Sequence, residues 1–170
     1  MTKLHRNPVA ALVLGMAIGV AIVWNWPQKQ LAAGTANGND VFTMVTVPVE
    51  GISETEAVFV LDHLTGILRG GYLNNTTGVF SHQYIYNVAA DFQVNAGGRN
   101  AQTKYAIVSG PANLGSSGRS QPARGIIYVG EKNSGAVIAY GFGMPRGRGS
   151  AVPLPVQKLA FFSFREAIGG

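Results

Sequence analysis

The chain of 170 residues contains no cysteine. It therefore cannot form disulfides, thiolate zinc sites or cysteine-ligated iron–sulfur clusters, and it cannot use a cysteine nucleophile. Charged side chains are also scarce, since they make up 12% of the residues, about half the share in an average soluble domain. Helical periodicity is almost absent from residues 41–170, which argues against an all-helical globule.

Glycine and apolar residues are abundant instead. The chain has 23 glycines and is 46% hydrophobic, which favours short strands and turns around one modest core. Runs rich in β-branched and aromatic residues predict strands at 42–49, 56–61, 67–73, 79–86, 105–109, 125–129 and 136–142. We therefore predict a mostly β fold, with a small antiparallel β-hairpin or meander domain at residues 41–170. Residues 87–92 fit one short helical turn, and residues 155–167 fit either a strand or an amphipathic helix.

A long apolar run precedes this domain at residues 9–26. As a helix, it would rise about 27 Å, close to the hydrocarbon thickness of a bilayer. We predict one N-terminal transmembrane helix here, with residues 1–8 in the cytoplasm because lysine and arginine precede the run. Residues 27–40 are small and polar and predict a flexible tether. A cleaved signal peptide is the alternative, and both interpretations export the domain.

Particular residues support the membrane prediction. The run begins on an apolar residue, contains a stripe of small residues that allows close helix approach, and ends with two tryptophans suited to the membrane interface. These predicted anchor residues are Val9, Gly15, Gly19, Trp24 and Trp26.

Three short segments between predicted strands share one pattern. Each begins with an Asp, Asn or Glu acceptor, has Thr or Ser three residues on, and ends in glycine. The acceptor side chain can bind the backbone amide two residues on, and glycine adopts the positive φ that leads back into the sheet. We predict hairpin turns built on Asp62, Thr65 and Gly66, on Asn74, Thr77 and Gly78, and on Glu131, Ser134 and Gly135. On this interpretation His63 is a variable turn residue rather than part of a reactive centre.

The Asp-x-x-Thr-Gly pattern of residues 62–66 resembles the hairpin turns of β-propeller blades, including the quinoprotein type. A propeller typically needs at least four four-stranded blades, whereas the strands predicted here could make at most two. The resemblance therefore implies turn chemistry and not a fold. In layout, the chain resembles small bacterial envelope proteins with an N-terminal anchor, which implies no particular activity.

Aromatic residues are concentrated in the predicted strands. Phe80, Tyr84 and Tyr86 share one alternation parity, and so do Tyr140 and Phe142. Each set should therefore lie on one strand face. We expect most of these rings in the core, and an exposed set would indicate a docking surface.

Charge is divided unevenly along the exported part. Residues 27–95 carry two basic and six acidic side chains, whereas residues 96–170 carry nine basic and two acidic ones. A basic half can attract an anionic glycan, an anionic lipid surface or an acidic protein, although scattered solubilising charges are the alternative. The candidate anion contacts lie in glycine-rich loops: Arg119, Arg124, Arg146 and Arg148. One short arginine–glycine segment is too weak a pattern to predict a nucleic-acid partner.

Catalytic and metal-binding motifs are missing from the sequence. It contains no G-x-S-x-G elbow, no Walker-type phosphate loop and no H-x-H or H-E-x-x-H pattern. We therefore expect no enzyme activity, no cofactor and no metal. The leading hypothesis is a non-enzymatic, single-pass envelope protein that acts as an accessory or protein-interaction module outside the cytoplasmic membrane. The alternatives are an anchored or secreted binding domain for an anionic glycan or lipid, and an enzyme of undetected type.

Overall fold

The computed structural model describes Met16 and residues 36–50, 55–93, 104–115, 121–147 and 149–165. Within this described part, no helix has both the length and the apolar character that a membrane crossing requires. The predicted membrane-anchor residues lie outside it, namely Val9, Gly15, Gly19, Trp24 and Trp26. The description below concerns the unit Ala33–Gly170.

Two antiparallel sheets and one short helix make up the described part of this unit. Sheet 1 is a five-stranded meander of β1 (Ala36–Gly38), β2 (Phe42–Pro48), β3 (Glu56–Asp62), β4 (Ile67–Asn74) and β5 (Val79–Asn87). Helix α1 (Val88–Gln93) follows it. Sheet 2 is a four-stranded meander of β6 (Tyr105–Pro111), β7 (Gly125–Glu131), β8 (Ala136–Phe142) and β9 (Val156–Ser163). The prediction of a mostly β, antiparallel hairpin domain is confirmed.

Strand β1 lies inside the segment that we predicted as a flexible tether. Its backbone pairs with residues 43–45 of β2. Asn39 closes this hairpin, because its Oδ1 accepts hydrogen bonds from the backbone amides of Val41 and Phe42 at 2.8 and 2.9 Å. Residues 36–40 therefore belong to the domain. Backbone pairing and one turn residue hold this strand, so the alternation of apolar side chains gave no signal for it.

Residues 155–167 contribute strand β9 rather than a helix. Its backbone pairs with β8, from Val156 opposite Phe142 to Ser163 opposite Ala136, and the register shifts once, between Ala139 and Tyr140 of β8. The segment is too uniformly apolar for periodicity to decide its structure, so the partner strand decides it.

The core lies between the two sheets. Strands with one face inside bury every second residue, and in sheet 1 the buried set includes Val45, Val47, Ala57, Phe59 and Leu61. In sheet 2 it includes Ile127, Val129, Ile138, Tyr140 and Phe142. The rings of Phe59 and Phe142 meet edge to face with centroids 5.0 Å apart, a favourable aromatic geometry.

Helix α1 is docked on the first hairpin turn. The backbone amides of Val88 and Ala89 donate to the carbonyl oxygen of Gly66 at 2.9 and 3.2 Å. Asn87 caps the helix, since its Oδ1 accepts a hydrogen bond from the backbone amide of Ala90 at 3.2 Å. Val88 and Phe92 are buried in the core. The helix therefore covers one end of the space between the sheets.

Candidate functional site

Asp62 is fully engaged in its turn. Its Oδ1 accepts hydrogen bonds from the backbone amides of Leu64 at 2.8 Å and Thr65 at 3.3 Å. The Leu64 bond, followed by one from the Thr65 side chain, holds the pKa of this carboxyl below its usual range. Gly66 completes the turn with a φ of 68°. Asp62 thus has the role of a turn residue, and nothing in this geometry directs it toward His63.

The turns at Asn74 and Glu131 repeat this arrangement. Asn74 Oδ1 accepts from the amides two and three residues on, at 2.9 and 3.1 Å. Glu131 uses both of its carboxylate oxygens for the equivalent amides, at 2.9 and 2.6 Å. Gly78 and Gly135 have φ values of 69° and 72°. The longer glutamate side chain therefore builds the same turn, and it is buried there.

The equivalent turns close three hairpins, β3–β4, β4–β5 and β7–β8. Hairpin 1 is β3–β4 and hairpin 2 is β7–β8, and they can be aligned on Gly66 and Gly135. The front of each hairpin is the side that bears Phe59 and Leu68 in hairpin 1, and the equivalent Tyr128 and Val137 in hairpin 2. The back is the side that bears Val60 and Arg69 in hairpin 1, and the equivalent Val129 and Ile138 in hairpin 2.

The two sheets bury opposite sides in the shared core. Phe59 and Leu68 are fully buried, so sheet 1 presents its front to the core. Val129 and Ile138 are also fully buried, so sheet 2 presents its back. Hairpins 1 and 2 therefore bury opposite sides in this alignment, whereas the β4–β5 hairpin, aligned on Gly78 and Gly135, buries the same side as hairpin 2.

Among the described residues, most of the front of sheet 2 is exposed and apolar. Two rows of paired residues cross all four strands of this face: Val108, Tyr128, Ala139 and Ala160 in one row, and Ala106, Gly130, Val137 and Phe162 in the other. None of these eight residues is charged. Val108 is 55% exposed, Tyr128 38% and Phe162 57%. A sheet face open to water ordinarily carries polar side chains, so this face has the composition of a covered one.

The back of sheet 1 is also free. One row across it consists of Met44, Val60, Arg69 and Ile85. The ring of Phe80 lies beside it, over Gly71. Phe80 was predicted to share a face with Tyr84, and this is wrong because the register between β4 and β5 shifts after Tyr72. The irregularity turns Phe80 outward, where it is 60% exposed.

A cation-lined cavity of about 330 Å³ lies at the end of the domain where β6 begins. Lys104 and Lys132 flank it, and the backbone amide of Lys132 donates to the carbonyl oxygen of Lys104 at 2.8 Å. His63 lines the cavity, with Nε2 2.9 Å from Thr43 Oγ1 and its ring edge to face with Tyr105 at 5.8 Å. His63 is thus a cavity residue, which the turn pattern did not reveal.

His63 is a neutral polar group in this cavity. Burial lowers the pKa of His63, and the charge of Lys132 lowers it further, against the opposing effect of Asp40. A neutral imidazole can donate one hydrogen bond and accept another. The two lysines supply positive charge, and Asp40, which also lines the cavity, supplies a negative charge.

The predicted anion contacts do not form one site in the described residues. Arg124 and Arg146 are exposed, and Arg146 donates to Gln121 Oε1. Arg119 and Arg148 lie outside the described residues. The cavity lysines were missed because they are adjacent only through the hydrogen bond between the β6 start and the β7–β8 turn.

Two buried tyrosines hold polar contacts within the core. The Tyr140 hydroxyl donates to Asp91 Oδ2 at 3.0 Å, and the Tyr84 hydroxyl donates to the carbonyl oxygen of Gly143 at 3.0 Å. Burial raises the pKa of both hydroxyls, and the charge of Asp91 raises that of Tyr140 further. These hydroxyls stay protonated and stabilise the fold.

Comparison with known proteins does not place the chain in a family. The chain matches no protein-family model, no curated protein and no solved structure. Among the described residues, no group of three or more His, Asp or Glu side chains is placed to hold a metal ion. The structural features that bear on function are therefore the two exposed sheet faces and the cation-lined cavity.

Proposed function

We propose that this protein is a non-enzymatic, single-pass envelope protein whose β-domain is a protein-interaction module outside the cytoplasmic membrane. The observation that carries the proposal is the free front of sheet 2, with eight uncharged residues in two rows. Exposed apolar patches on stable domains mark interaction sites, because leaving them in water is unfavourable.

A protein partner fits this face better than a glycan or a lipid head group. The two central rows of the face carry no charged side chain, and Lys104 and Lys132 lie only at its end, in the cavity that Ala106 also lines. Sheets pack on one another through interdigitated apolar side chains about 10 Å apart. Aromatic residues such as Tyr128 and Phe162 are the type enriched at the centre of protein interfaces.

The face is tested by charge insertion in the full-length protein. Val137→Lys and Phe162→Lys each place a charge at the centre or edge of the front, and Leu64→Lys places one on an exposed turn residue between β3 and β4 of sheet 1. Mild detergent extracts are compared by native electrophoresis. We expect wild type and Leu64→Lys to migrate in a complex larger than one chain in its micelle, and the two face variants to lose that complex while keeping the far-ultraviolet dichroism of the fold.

Two results would contradict the interaction proposal. A wild-type protein that migrates as a single chain has no stable partner. Face variants that retain the larger complex would mean that a different surface binds the partner.

The membrane anchor is part of the same proposal. It is supported by the apolar run at 9–26 and by the basic residues before it. We expect the mature protein to keep its N-terminus and to resist carbonate extraction. A periplasm-active reporter fused after Gly170 should be active. A mature N-terminus near residues 32–36 would instead indicate a cleaved signal peptide.

A second candidate function is the binding of an anionic head group or glycan in the cation-lined cavity. The pairing of Lys104 with Lys132 beside His63 favours it. Co-sedimentation with vesicles of neutral lipid, with and without about a third of anionic lipid, tests it. The double variant Lys104→Ser/Lys132→Ser should lose the anionic component of binding, and Arg124→Ser/Arg146→Ser serves as the matched control. An equal loss of binding in both double variants would mean that net charge, and not the cavity, attracts the anionic vesicles.

A further inference from the structure

We infer that the cation-lined cavity is an oxyanion-binding site whose affinity rises when His63 gains a proton. The ligand is a group of the phosphate or sulfate type, either free in solution or carried by a lipid. This inference rests on the second candidate function proposed above and deepens it, because it names the ligand chemistry and the residue that regulates binding. It does not depend on the interaction face of sheet 2.

The position of His63 is fixed by contacts outside its own turn. Its backbone amide donates to the carbonyl oxygen of Val41 at 2.8 Å. Its Nε2 lies 2.9 Å from Thr43 Oγ1, and its ring meets that of Tyr105 edge to face at 5.8 Å. The imidazole is therefore held in one place at the cavity wall.

A close approach between β1 and β2 shapes the same wall. Gly38 lines the cavity, and a Cβ at this position would lie 2.5 Å from Thr43 Oγ1. A larger residue would displace the hydroxyl that contacts His63. Glycine at this position therefore preserves the contact between Thr43 and His63.

The charged groups near His63 come from four places in the fold. Asp40 lies in the β1–β2 turn and Asp62 begins the turn of His63 itself. Lys104 precedes β6, and Lys132 lies in the β7–β8 turn. The Asp62 carboxylate is bonded to backbone amides of its own turn, whereas the other three groups line the cavity.

Protonation of His63 changes the charge of this lining. With two lysines and one aspartate, the described lining residues carry a formal charge of +1 while His63 is neutral. A proton on His63 raises this charge to +2. Tyr105, the remaining titratable residue of the lining, is uncharged at neutral and acidic pH. An anion in the cavity is therefore attracted more strongly by the protonated form.

The direction of the pH effect follows from the environment of His63. Burial lowers the pKa of His63, and the charge of Lys132 lowers it further, so the imidazole is neutral at pH 7. A bound anion stabilises the charged imidazole, so the pKa of His63 is higher in the complex than in the free protein. Affinity should therefore rise as the pH falls through the pKa of the complex, and become constant below that of the free protein. The Thr43 contact survives protonation, because a hydroxyl can accept the hydrogen bond that Nε2–H then donates.

The size and chemistry of the cavity suit a phosphate- or sulfate-type group. The lysine ammonium is a compact point charge with three donors, and it is a common phosphate ligand in proteins. The side chains of Asn39 and Thr43 add polar groups to the lining. The volume of about 330 Å³ lies at the lower end of the range for small-ligand sites. One small anion or one lipid head group therefore fits.

Two substitutions at His63 test the role of its charge. The equivalent turns carry Asn75 and Lys132 at this position, so the turn accepts either residue type. His63→Asn removes the titrating group, and His63→Lys replaces it with a permanent positive charge. Both variants are prepared in the full-length protein, and circular dichroism verifies the fold.

Binding is measured by NMR titration with sulfate in micelles of an uncharged detergent, from about pH 8 to about pH 5, the range in which histidine titrates. Sulfate keeps both of its charges throughout this range, and chloride holds the ionic strength constant. Vesicles of neutral lipid, with and without phosphatidylglycerol, form the second arm, which distinguishes a lipid phosphate from a free anion. Lys104→Ser/Lys132→Ser removes the cavity cations, and Arg124→Ser/Arg146→Ser is the control with the same loss of charge.

We expect the affinity of the wild type for sulfate to rise by roughly five- to tenfold as the pH falls, as one added charge about 4 Å from the ligand would produce. His63→Asn should bind weakly at both pH limits, and His63→Lys should bind tightly at both. The Lys104→Ser/Lys132→Ser variant should lose binding, and the arginine control should behave as wild type. A His63-dependent rise with vesicles alone would identify the ligand as a lipid phosphate.

Three outcomes would overturn the inference. A pH-dependent rise that persists in His63→Asn would mean that another group regulates binding, and the cavity would remain an anion site. Equal weakening in the lysine and arginine variants would mean that net charge, and not the cavity, attracts the anion. If the wild type binds neither sulfate nor anionic vesicles at any pH, the candidate function of the cavity fails as well, whereas the interaction face of sheet 2 is unaffected.

Discussion

Substitution of alanine for each of the three turn glycines should distinguish the stability cost of backbone strain from that of steric overlap. Gly66, Gly78 and Gly135 have nearly the same φ, between 68° and 72°. Alanine in the left-handed region destabilises the folded state by about 1–2 kcal/mol. Alanine also lowers the conformational entropy of the unfolded chain, which stabilises the protein by about 0.4–1 kcal/mol. A net destabilisation of about 1 kcal/mol is therefore common to all three substitutions.

The surroundings of the three glycines differ. A Cβ at Gly78 would meet no atom within 4 Å. A Cβ at Gly135 would overlap the Cβ, Cγ and Cδ of Arg165, and the adjoining amide of Phe164 is hydrogen-bonded to the carbonyl oxygen of Gly135. A Cβ at Gly66 would overlap Ala89 in helix α1, whose backbone is hydrogen-bonded to Gly66 itself. Overpacking of this kind costs about 1–3 kcal/mol, so Gly66→Ala should destabilise the protein by about 2–4 kcal/mol.

Thermal unfolding of the full-length variants, followed by circular dichroism, measures the differences. At about 2–4 °C per kcal/mol for a chain of this size, Gly78→Ala should lower Tm by roughly 2–4 °C and Gly66→Ala by roughly 5–15 °C. Gly135→Ala should lower Tm by more than Gly78→Ala, because Arg165 must shift. Equal effects at Gly66 and Gly78 would refute the docking of α1 on the first turn, and a neutral Gly78→Ala would refute the strain.

Three further predictions concern titratable groups. The pKa values of Tyr84, Tyr86 and Tyr140 are raised by burial, so the unfolded chain ionises first and stability should fall as pH rises above about 10; a flat alkaline profile would contradict this. Tyr140→Phe removes a hydrogen bond to the Asp91 carboxylate and should destabilise the protein by about 1.5–3 kcal/mol. The loss should exceed that in Tyr84→Phe, which removes a hydrogen bond to a neutral carbonyl. Denaturant titration of both variants measures the difference. The pKa of Asp62 is lowered, so its contribution is present above its unfolded pKa and lost as pH falls through the folded one. Asp62→Ala should therefore lower Tm at pH 7 and lower it by less as the pH falls below the unfolded pKa.

The strands of this domain were predictable because their signals are local. Residues 136–142 were predicted as a strand and form β8 with the same bounds. The other predicted strands are present with ends that differ by one or two residues. The turns between them follow from one acceptor side chain and one glycine, both of which act within five residues of chain.

The functional surfaces were less predictable because they combine distant segments. The candidate arginines were chosen for their glycine-rich loops, whereas the cavity gathers His63, Lys104 and Lys132 from three separate places in the chain. In β8 and β9, apolar residues occupy both the odd and the even positions. This pattern could have predicted strands with two apolar faces. The outward position of Phe80 depends on a register shift that no local pattern records.

The sequence by itself determined strands β2 to β8, the acceptor–glycine turns and the absence of thiol chemistry, since each depends on residues close together in the chain or on composition. Only the tertiary structure decided which side of each sheet is buried. Alternation specifies that Phe59 and Val60 point to opposite faces, but not which face meets the other sheet. That choice depends on how the two sheets pack, and it leaves the front of sheet 2 and the back of sheet 1 exposed.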